Sequence, residues 1–405
     1  MKVLQINTVY PTGSTGKIAY ALQRLCAQQN IECRVAFRFY EGDRIPQEAI
    51  AVSSWLDCHV HNRLGAITSL QGCFSYYKTR AFLKKVEKFG PDVIHLHNIH
   101  GSYIHHGLLF EYIKKNQIST VWTLHDCWAF TGGCPHFVAY HCDKWQTGCG
   151  ECPHLKQNKR TITDFSHYMW AKKKQWFTGA SNMILATPSQ WLSQLVESSF
   201  LKGYPSLIIR HGIDLSVFKP TPSDFRAKYA IDEQKHILLG VAFGWNDKKG
   251  LDVFIELAKR LDGQRYQIVL VGTDEATDKL LPENIISIHR TYDQGELAQI
   301  YSAADLLINP TREEMLGLVN LEANACGTPV VTFRTGGSPE CIDENSGSVV
   351  KYNDTDALEA EIIRICTQRP YSRQACVENA ARFEKEACFS RYIQLYKELA
   401  DAKKM

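Results

Sequence analysis

The sequence predicts an α/β protein built from two Rossmann-like domains, each a parallel sheet covered by helices. The clearest evidence is residues 305–341, which read as strand, loop, helix, strand, glycine turn and helix. The apolar run Leu306 to Ile308 ends at Asn309-Pro310, and Leu318, Leu321 and Ala325 then recur at helical spacing until Gly327-Thr328-Pro329 stops the helix. Elements in that order close a parallel strand–helix–strand unit. The same alternation of short apolar run, turn and helix recurs along both halves of the chain. Finally, 405 residues are too many for one small domain and suit two of about 200 each.

Charge excludes one class of partner. Forty-six basic against 43 acidic residues leave a net charge of +3, which gives no electrostatic case for nucleic acid. The opening Met-Lys-Val-Leu-Gln-Ile-Asn reads as a first buried strand rather than a signal peptide, and no run approaches about 18 apolar residues. The expectation is a cytoplasmic protein whose 14 cysteines are thiols or metal ligands, not disulfides.

After the strand Val3 to Ile6 comes Thr12-Gly13-Ser14-Thr15-Gly16-Lys17, then a helix with Ile18, Leu22, Leu25 and Cys26 on one face. A strand, glycine loop and helix can cradle phosphate. A P-loop, however, needs glycine at position 11 and serine or threonine at 18, where this chain has Pro11 and Ile18. Residues 32–39 and 93–97 are further strands. His95 and His97 alternate with apolar residues in the second, and strand alternation alone explains them. Thr120 to Asp126 is the next strand. It delivers His125 at its carboxyl end, where parallel sheets present functional groups; a packing or capping histidine beside Asp126 is the plainer alternative.

Cys127, Cys134, Cys142, Cys149 and Cys152 then fall within 26 residues. The last four are spaced Cys-x7-Cys-x6-Cys-x2-Cys amid His136, His141 and His154. Four thiolates ending in Cys-x-x-Cys suit a closed structural zinc site, Cys134, Cys142, Cys149 and Cys152, that staples a loop too polar to fold alone. Reduced cysteines without metal are the alternative, because the first two spacings exceed those of common zinc ribbons. Lys172-Lys173-Lys174, with Trp170 and Trp176, reads as a solvated helix face or as a surface that meets anionic headgroups.

Met183 to Ala186 and Leu207 to Ile209 close the first sheet, and Pro220-Thr221-Pro222-Ser223 reads as a linker. The second domain opens with the strand Ile237 to Phe243, then Gly244 and Lys249-Gly250. Strands Tyr266 to Val271 and Ile285 to Ile288 follow, the latter leading to His289-Arg290, with a helix over 294–304. Gly336-Gly337-Ser338-Pro339-Glu340 starts another helix, and 371–383 and 386–402 are the last two. The domains are thus 1–215, carrying the cysteine-rich insertion 127–154, and 216–384; helix 385–405 crosses back to the first. Two carboxylates mark the site of the second domain. Glu314 stands just before a helix and Glu322 inside it, with Gly317 between them and free amides suited to an anion.

Glu314 and Glu322, with Gly317 through Val331, resemble the Glu-x7-Glu signature of GT4-type retaining glycosyltransferases, Glu-Gly-Phe-Gly-Leu-x-x-x-Glu-Ala-x-Ala-x-Gly-x-Pro-Val-Val. Met315 and Leu316 replace its Gly and Phe. Pro91 to His100 and His211-Gly212-Ile213-Asp214 resemble the same family. The cysteine-rich insertion resembles a colanic-acid-like subgroup that builds bacterial exopolysaccharide and O-antigen. The resemblance implies a GT-B fold, two Rossmann-like domains facing across a cleft. It implies a retaining hexosyl transfer from a UDP- or GDP-linked sugar to a glycan acceptor, lipid-linked at the cytoplasmic face of the inner membrane, without a catalytic metal.

It also implies roles. Glu322 would bind the ribose, Glu314 and His125 the donor sugar, and the backbone at Leu316, Gly317, Leu318 and Val319 the sugar hydroxyls and phosphate. Lys249 would stabilise the leaving diphosphate; Gly244 stands where the family has an arginine, which makes Lys248 a candidate to compensate. Arg290 would contact base or phosphate, and the Gly13–Gly16 loop would lie near donor and acceptor. Two rivals are a nucleotide-sugar epimerase on the same fold and a non-catalytic, zinc-stapled scaffold that binds nucleotide-sugars.

Overall fold

The computed structural model describes residues 1–42, 44–155 and 161–402. The chain forms two units, Met1–Ile209 together with Phe389–Met405, and Arg210–Cys388.

The first unit is organised on a seven-stranded parallel sheet. Its order from one edge is Ala49–Ala51, Glu32–Phe37, Lys2–Ile6, Val93–Leu96, Ser119–Thr123, Met183–Thr187 and Ser206–Ile208. Numbered by position along the chain, these strands run 3-2-1-4-5-6-7, so the winding direction reverses between Lys2–Ile6 and Val93–Leu96. That reversal is the switch point at which doubly wound sheets bind ligands. The central strands are buried on both faces, which explains their near-continuous apolar sequences. Helix Lys385–Ala402 contributes its later part to this core. Tyr392 and Tyr396 are buried, Thr123 donates to the Tyr392 hydroxyl at 2.9 Å, and Tyr396 bonds His95 Nδ1.

The second unit repeats the order in a six-stranded parallel sheet: Ile285–Ile288, Tyr266–Val271, His236–Val241, Leu306–Asn309, Val330–Phe333 and Gly347–Val350, or 3-2-1-4-5-6. Alternation assigns its two faces. Ile237, Leu239, Val269, Leu307 and Val330 belong to one apolar cluster. Their neighbours Leu238, Ile268, Leu306, Ile308 and Val331 belong to the other. Here the switch point lies between His236–Val241 and Leu306–Asn309.

Three expectations change. The Gly336-Gly337 segment leads into one 3-10 turn, Ser338–Cys341, because Thr335 and Gly337 backbone groups already close a tight turn. Strand Ala49–Ala51 is too short to read from its pattern, and helix Trp55–Thr68 carries its apolar residues Leu56, Val60, Leu64 and Ile67 on its exposed side. The segment 170–176 is not a solvated face throughout. Trp170 and Lys173 are buried, and Lys173 donates to the carbonyls of Trp128 at 2.7 Å and Thr131 at 3.1 Å with its ammonium over the Trp128 ring. A buried lysine persists only when so compensated. It therefore anchors the segment after His125. Among the described residues no helix is long and apolar enough to cross a membrane.

Candidate active site

In the second unit the two loops flanking the switch point are sewn together. Strand His236–Val241 runs into a turn, Asp247–Lys249, whose amides at 248 and 249 are capped by Asn246 Oδ1 at 3.0 and 3.2 Å. Strand Leu306–Asn309 runs into the loop 310–317. The Arg312 amide donates to the Lys248 carbonyl at 2.8 Å, and the Arg312 guanidinium holds Asp252 by two 2.7 Å bonds. Lys248 reaches the buried Glu313 carboxylate at 2.7 Å. Its ammonium is thus engaged in joining the loops, opposite to the role of a spare cation for the site. Phe243 and Gly244 stand exposed, with no cation where the family has one.

Lys249 and Glu314 face each other across this seam at 2.9 Å. The second Glu314 oxygen accepts the Met315 amide at 3.1 Å, which fixes the carboxylate. Behind it lies Gly336, at φ +52, where an added Cβ would sit 1.7 Å from the Glu314 carbonyl oxygen. The Gly337 amide donates to that same carbonyl at 3.1 Å. Gly317, at φ +95, opens helix Leu318–Ala325, and no side chain caps it. The Asn320 amide returns to the Gly317 carbonyl at 3.0 Å, and a helix N-terminus without a side-chain cap suits an anion. Leu316 is buried in the core and its carbonyl accepts the Cys341 thiol, whereas Leu318 and Val319 are half-buried.

The helix is held from beneath by a ring of buried polar groups. Asn309 Nδ2 donates to Asn320 Oδ1 at 2.8 Å, and Asn320 Nδ2 donates to Ser338 Oγ at 2.8 Å. Ser338 Oγ meets Thr332 Oγ1 at 2.8 Å, and Thr332 returns to the Asn309 carbonyl at 2.9 Å. With its partners inside the ring, such a network fixes one geometry. Glu322, half-buried on the same helix, accepts the Tyr301 hydroxyl at 3.0 Å. Burial, then the Glu322 charge, hold the Tyr301 phenol well above its ordinary pKa, so it remains a donor to Glu322. Arg290 is exposed just past strand Ile285–Ile288.

The first unit presents His125, half-buried just beyond strand Ser119–Thr123. Its tautomer follows from two side chains that sequence reasoning did not single out for this purpose. Gln5 Nε2 donates to the Ala19 carbonyl at 2.9 Å, which turns Gln5 Oε1 towards His97 Nε2 at 2.9 Å. His97 therefore carries its proton on Nε2 and accepts, at Nδ1, from His125 Nε2 at 3.1 Å. The His97 and His125 rings stack at 18°. Asp126 next to it is fully engaged: burial would raise its pKa, but His100 at 2.8 Å and the Trp128 amide hold it down at about 2. Gly13 and Gly16 form the first turn of helix Gly13–Gln28, Gly16 being packed against the backbone of Val9 and Pro11.

The cysteine-rich insertion is less polar than expected, because it has an apolar centre of its own. Phe130, Phe137 and Trp145 are buried together, with ring centroids 5.2 and 5.1 Å from Trp145. Cys149 Sγ accepts the Gly132 amide at 3.1 Å, near Cys134, and the four thiols 134, 142, 149 and 152 are half-buried and free of disulfides. Among the described residues, however, no three His, Cys, Asp or Glu side chains are gathered to hold a metal ion.

Residues 223–383 match the family model described as glycosyl transferases group 1. The chain is 22% identical over 370 residues, 86% of this chain and 87% of the relative, to a protein named as a colanic acid biosynthesis glycosyl transferase, WcaC, of Escherichia coli (strain K12). It is 35% identical over 194 residues to a D-inositol 3-phosphate glycosyltransferase of Mycobacteroides abscessus, but spans only 42% of that protein. In fold it is similar to sucrose-phosphate synthase from Thermosynechococcus elongatus, with a TM-score of 0.73, 20% identity and 99% of each chain covered. It is also similar to Anabaena HepE in complex with UDP-glucose, with a TM-score of 0.66, 14% identity and 98% and 100% covered. The fold is the GT-B α/β fold of those glycosyltransferases. The seam, the uncapped helix and both carboxylates lie inside the residues that match the model of the group 1 glycosyl transferases.

Proposed function

We propose that this chain is a retaining glycosyltransferase that moves a hexose from a nucleoside diphosphate sugar to a glycan acceptor, lipid-linked, in the synthesis of a bacterial surface polysaccharide. One observation carries the reading: the Lys249–Glu314 pair sits at the sheet's switch point beside an uncapped helix N-terminus, with Glu322 farther along the same helix. Lys249 and the helix amides would take up charge as the diphosphate leaves, and Glu314 would orient the sugar hydroxyls. Glu322, steadied by Tyr301, would accept the ribose hydroxyls. His125 would contact the donor sugar, as the resemblance implies. The HepE complex with UDP-glucose supports a uridine donor, and the WcaC relative supports a polysaccharide product.

The test is a panel of UDP- and GDP-sugars with and without acceptor glycans. Nucleoside diphosphate release that depends on the acceptor, with an axial or equatorial anomeric bond matching that of the donor by NMR, is the expected result. Isomerised donor would make the protein an epimerase instead, and binding without product would make it a scaffold. Structural zinc at Cys134, Cys142, Cys149 and Cys152 rests on the cysteine spacing; on that reading purified protein carries about one zinc per chain. Four alkylatable thiols and no zinc in active enzyme would remove it.

A further inference from the structure

The loop that follows strand Val93–Leu96 of the first sheet is tied down on several sides. Thr8, just past strand Lys2–Ile6, places its hydroxyl 2.8 Å from the Asn98 carbonyl and 2.5 Å from that of His100. The Asn98 amide donates to Asn7 Oδ1 at 3.2 Å, the Tyr103 hydroxyl to the Asn98 carbonyl at 3.0 Å, and the Arg38 guanidinium to the Gly101 carbonyl. Gly101, at φ +117, lies so close to Thr8 that an added Cβ would sit 2.8 Å from its methyl carbon. These contacts fix the backbone at His100, beyond the carboxyl end of a strand that borders the first unit's switch point.

The His100 ring is then set by Asp126. That carboxylate is 13% exposed and uses both oxygens: Oδ1 accepts the Trp128 amide at 2.8 Å, and Oδ2 accepts from His100 Nε2 at 2.8 Å. The buried Trp128 ring, held by its bond to Gln71 and by the Lys173 ammonium above it, packs beside the imidazole at a centroid distance of 5.3 Å. With Nε2 donating to a carboxylate, the neutral ring carries its lone pair on Nδ1. Nδ1 has no hydrogen-bond partner among the described residues, and the His100 side chain is 27% exposed. A neutral imidazole whose proton is held on one nitrogen can only accept at the other, and a hydroxyl suits it as donor. The sequence offers Asp126 as a neighbour for His125; the structure turns it to His100 instead.

We propose that His100 Nδ1 accepts a hydrogen bond from a hydroxyl of the glycan that receives the sugar, and that Asp126 is the positioning residue that keeps the ring proton on Nε2. The groups that suit a nucleoside diphosphate lie in the second unit, whereas His100 offers a neutral acceptor, which matches the hydroxyls of a glycan. The pair makes the site demand a hydroxyl. A glycan that lacks it, or carries it as an ether, leaves Nδ1 desolvated and unpaired, and is rejected for that reason. The proposal supplies a specificity determinant for the reading above and rests on it for the ligand, though the histidine–aspartate geometry does not.

Nitrogen NMR on the full chain, labelled at histidine, reads the tautomer directly, the His100 signals being assigned by their loss in His100→Phe. Wild type should show the Nε2–H form. Asp126→Asn should invert it: the amide oxygen keeps the Trp128 bond, the amide nitrogen donates to Nε2, and the ring proton moves to Nδ1. Titration with the methyl glycosides of glucose, galactose and mannose should move the Nδ1 signal for at least one of them. That movement should vanish with one of its monodeoxy analogues and in Asp126→Asn. In transfer assays the acceptor KM should rise at least about tenfold in His100→Phe and in Asp126→Asn with donor KM unchanged. His100→Asn, which keeps an oxygen near the Nδ1 position, should recover much of the loss. An Nδ1–H form in wild type, an Nδ1 signal that no glycoside moves, or an acceptor KM indifferent to His100→Phe overturns the proposal. So does a fall in thermal stability shared by all three variants with acceptor KM unchanged, which makes the pair structural. A glycoside-dependent Nδ1 shift with no transfer from any donor sinks the transferase reading and leaves the site standing.

Discussion

The two units share a strand order and differ in what their switch points present. In the second, the loops after the first and fourth strands meet through charge: Lys248 with Glu313, Lys249 with Glu314, Arg312 with Asp252. In the first, the corresponding strands are joined by a chain of amide and imidazole groups from Gln5 through His97 to His125, with the Asp126 carboxylate turned to His100. The same winding therefore fixes where a ligand can sit without fixing the chemistry offered there. Charged groups suit a departing diphosphate, and neutral donors and acceptors suit a sugar. Each half of that contrast can be broken separately.

The largest effect is expected from Gly336→Ala. The new Cβ collides with the Glu314 carbonyl at a backbone angle that favours glycine, so the second unit should lose more than about 3 kcal/mol while activity vanishes. Hydrogen exchange should show the first sheet unaffected; equal loosening of both sheets would mean the damage is not local. Next comes Lys249→Ala, expected to lower kcat roughly 100- to 1,000-fold. Its ion pair is partly exposed, so stability should change by less than about 1 kcal/mol. A urea midpoint that falls in step with kcat would make Lys249 a structural residue.

Tyr301→Phe removes the hydroxyl that steadies Glu322. It should raise donor KM by about tenfold with kcat nearly kept, since a hydrogen bond to a charged group contributes about 1.5 kcal/mol. An unchanged KM would detach Glu322 from ribose binding. The smallest effect belongs to the first unit. Gln5→Leu takes away the acceptor that sets the His97 tautomer, and kcat should fall about fivefold with a shifted pH profile. Gln5→Glu, which retains an acceptor, should recover most of it. If the leucine variant merely lowers stability while the pH profile stays put, the relay has no part in turnover.

Legibility followed the range of the interactions. The signature around Glu314, Gly317 and Glu322 is contiguous, so a linear reading reached it, and the parallel sheets followed from apolar runs ended by turn residues. Tyr301 was not legible as a site residue, because its link to Glu322 joins one helix to another and its sequence context is that of a core tyrosine. Gln5 looked like one polar residue in an apolar strand. Helix Trp55–Thr68 escaped because the rule that apolar residues face inward is inverted in it. Lys173 was misread for a related reason: one lysine of three is buried, and only the carbonyls of Trp128 and Thr131 reveal which.

The later part of helix Lys385–Ala402 sets a timetable. Residues from Phe389 onward belong to the first unit, where Tyr392 and Tyr396 complete the buried hydrogen bonds of Thr123 and His95. Synthesis proceeds from the N-terminus, so the ribosome finishes nearly all of the first unit's sheet early and then makes the whole second unit before those tyrosines exist. Domains usually fold as they emerge. Here the earlier-made sheet must wait with a polar, incompletely covered surface until residues 389–402 arrive, while the later-made unit can close first. A nascent chain halted before Phe389 should therefore hold a protease-resistant second unit and a protease-sensitive first one.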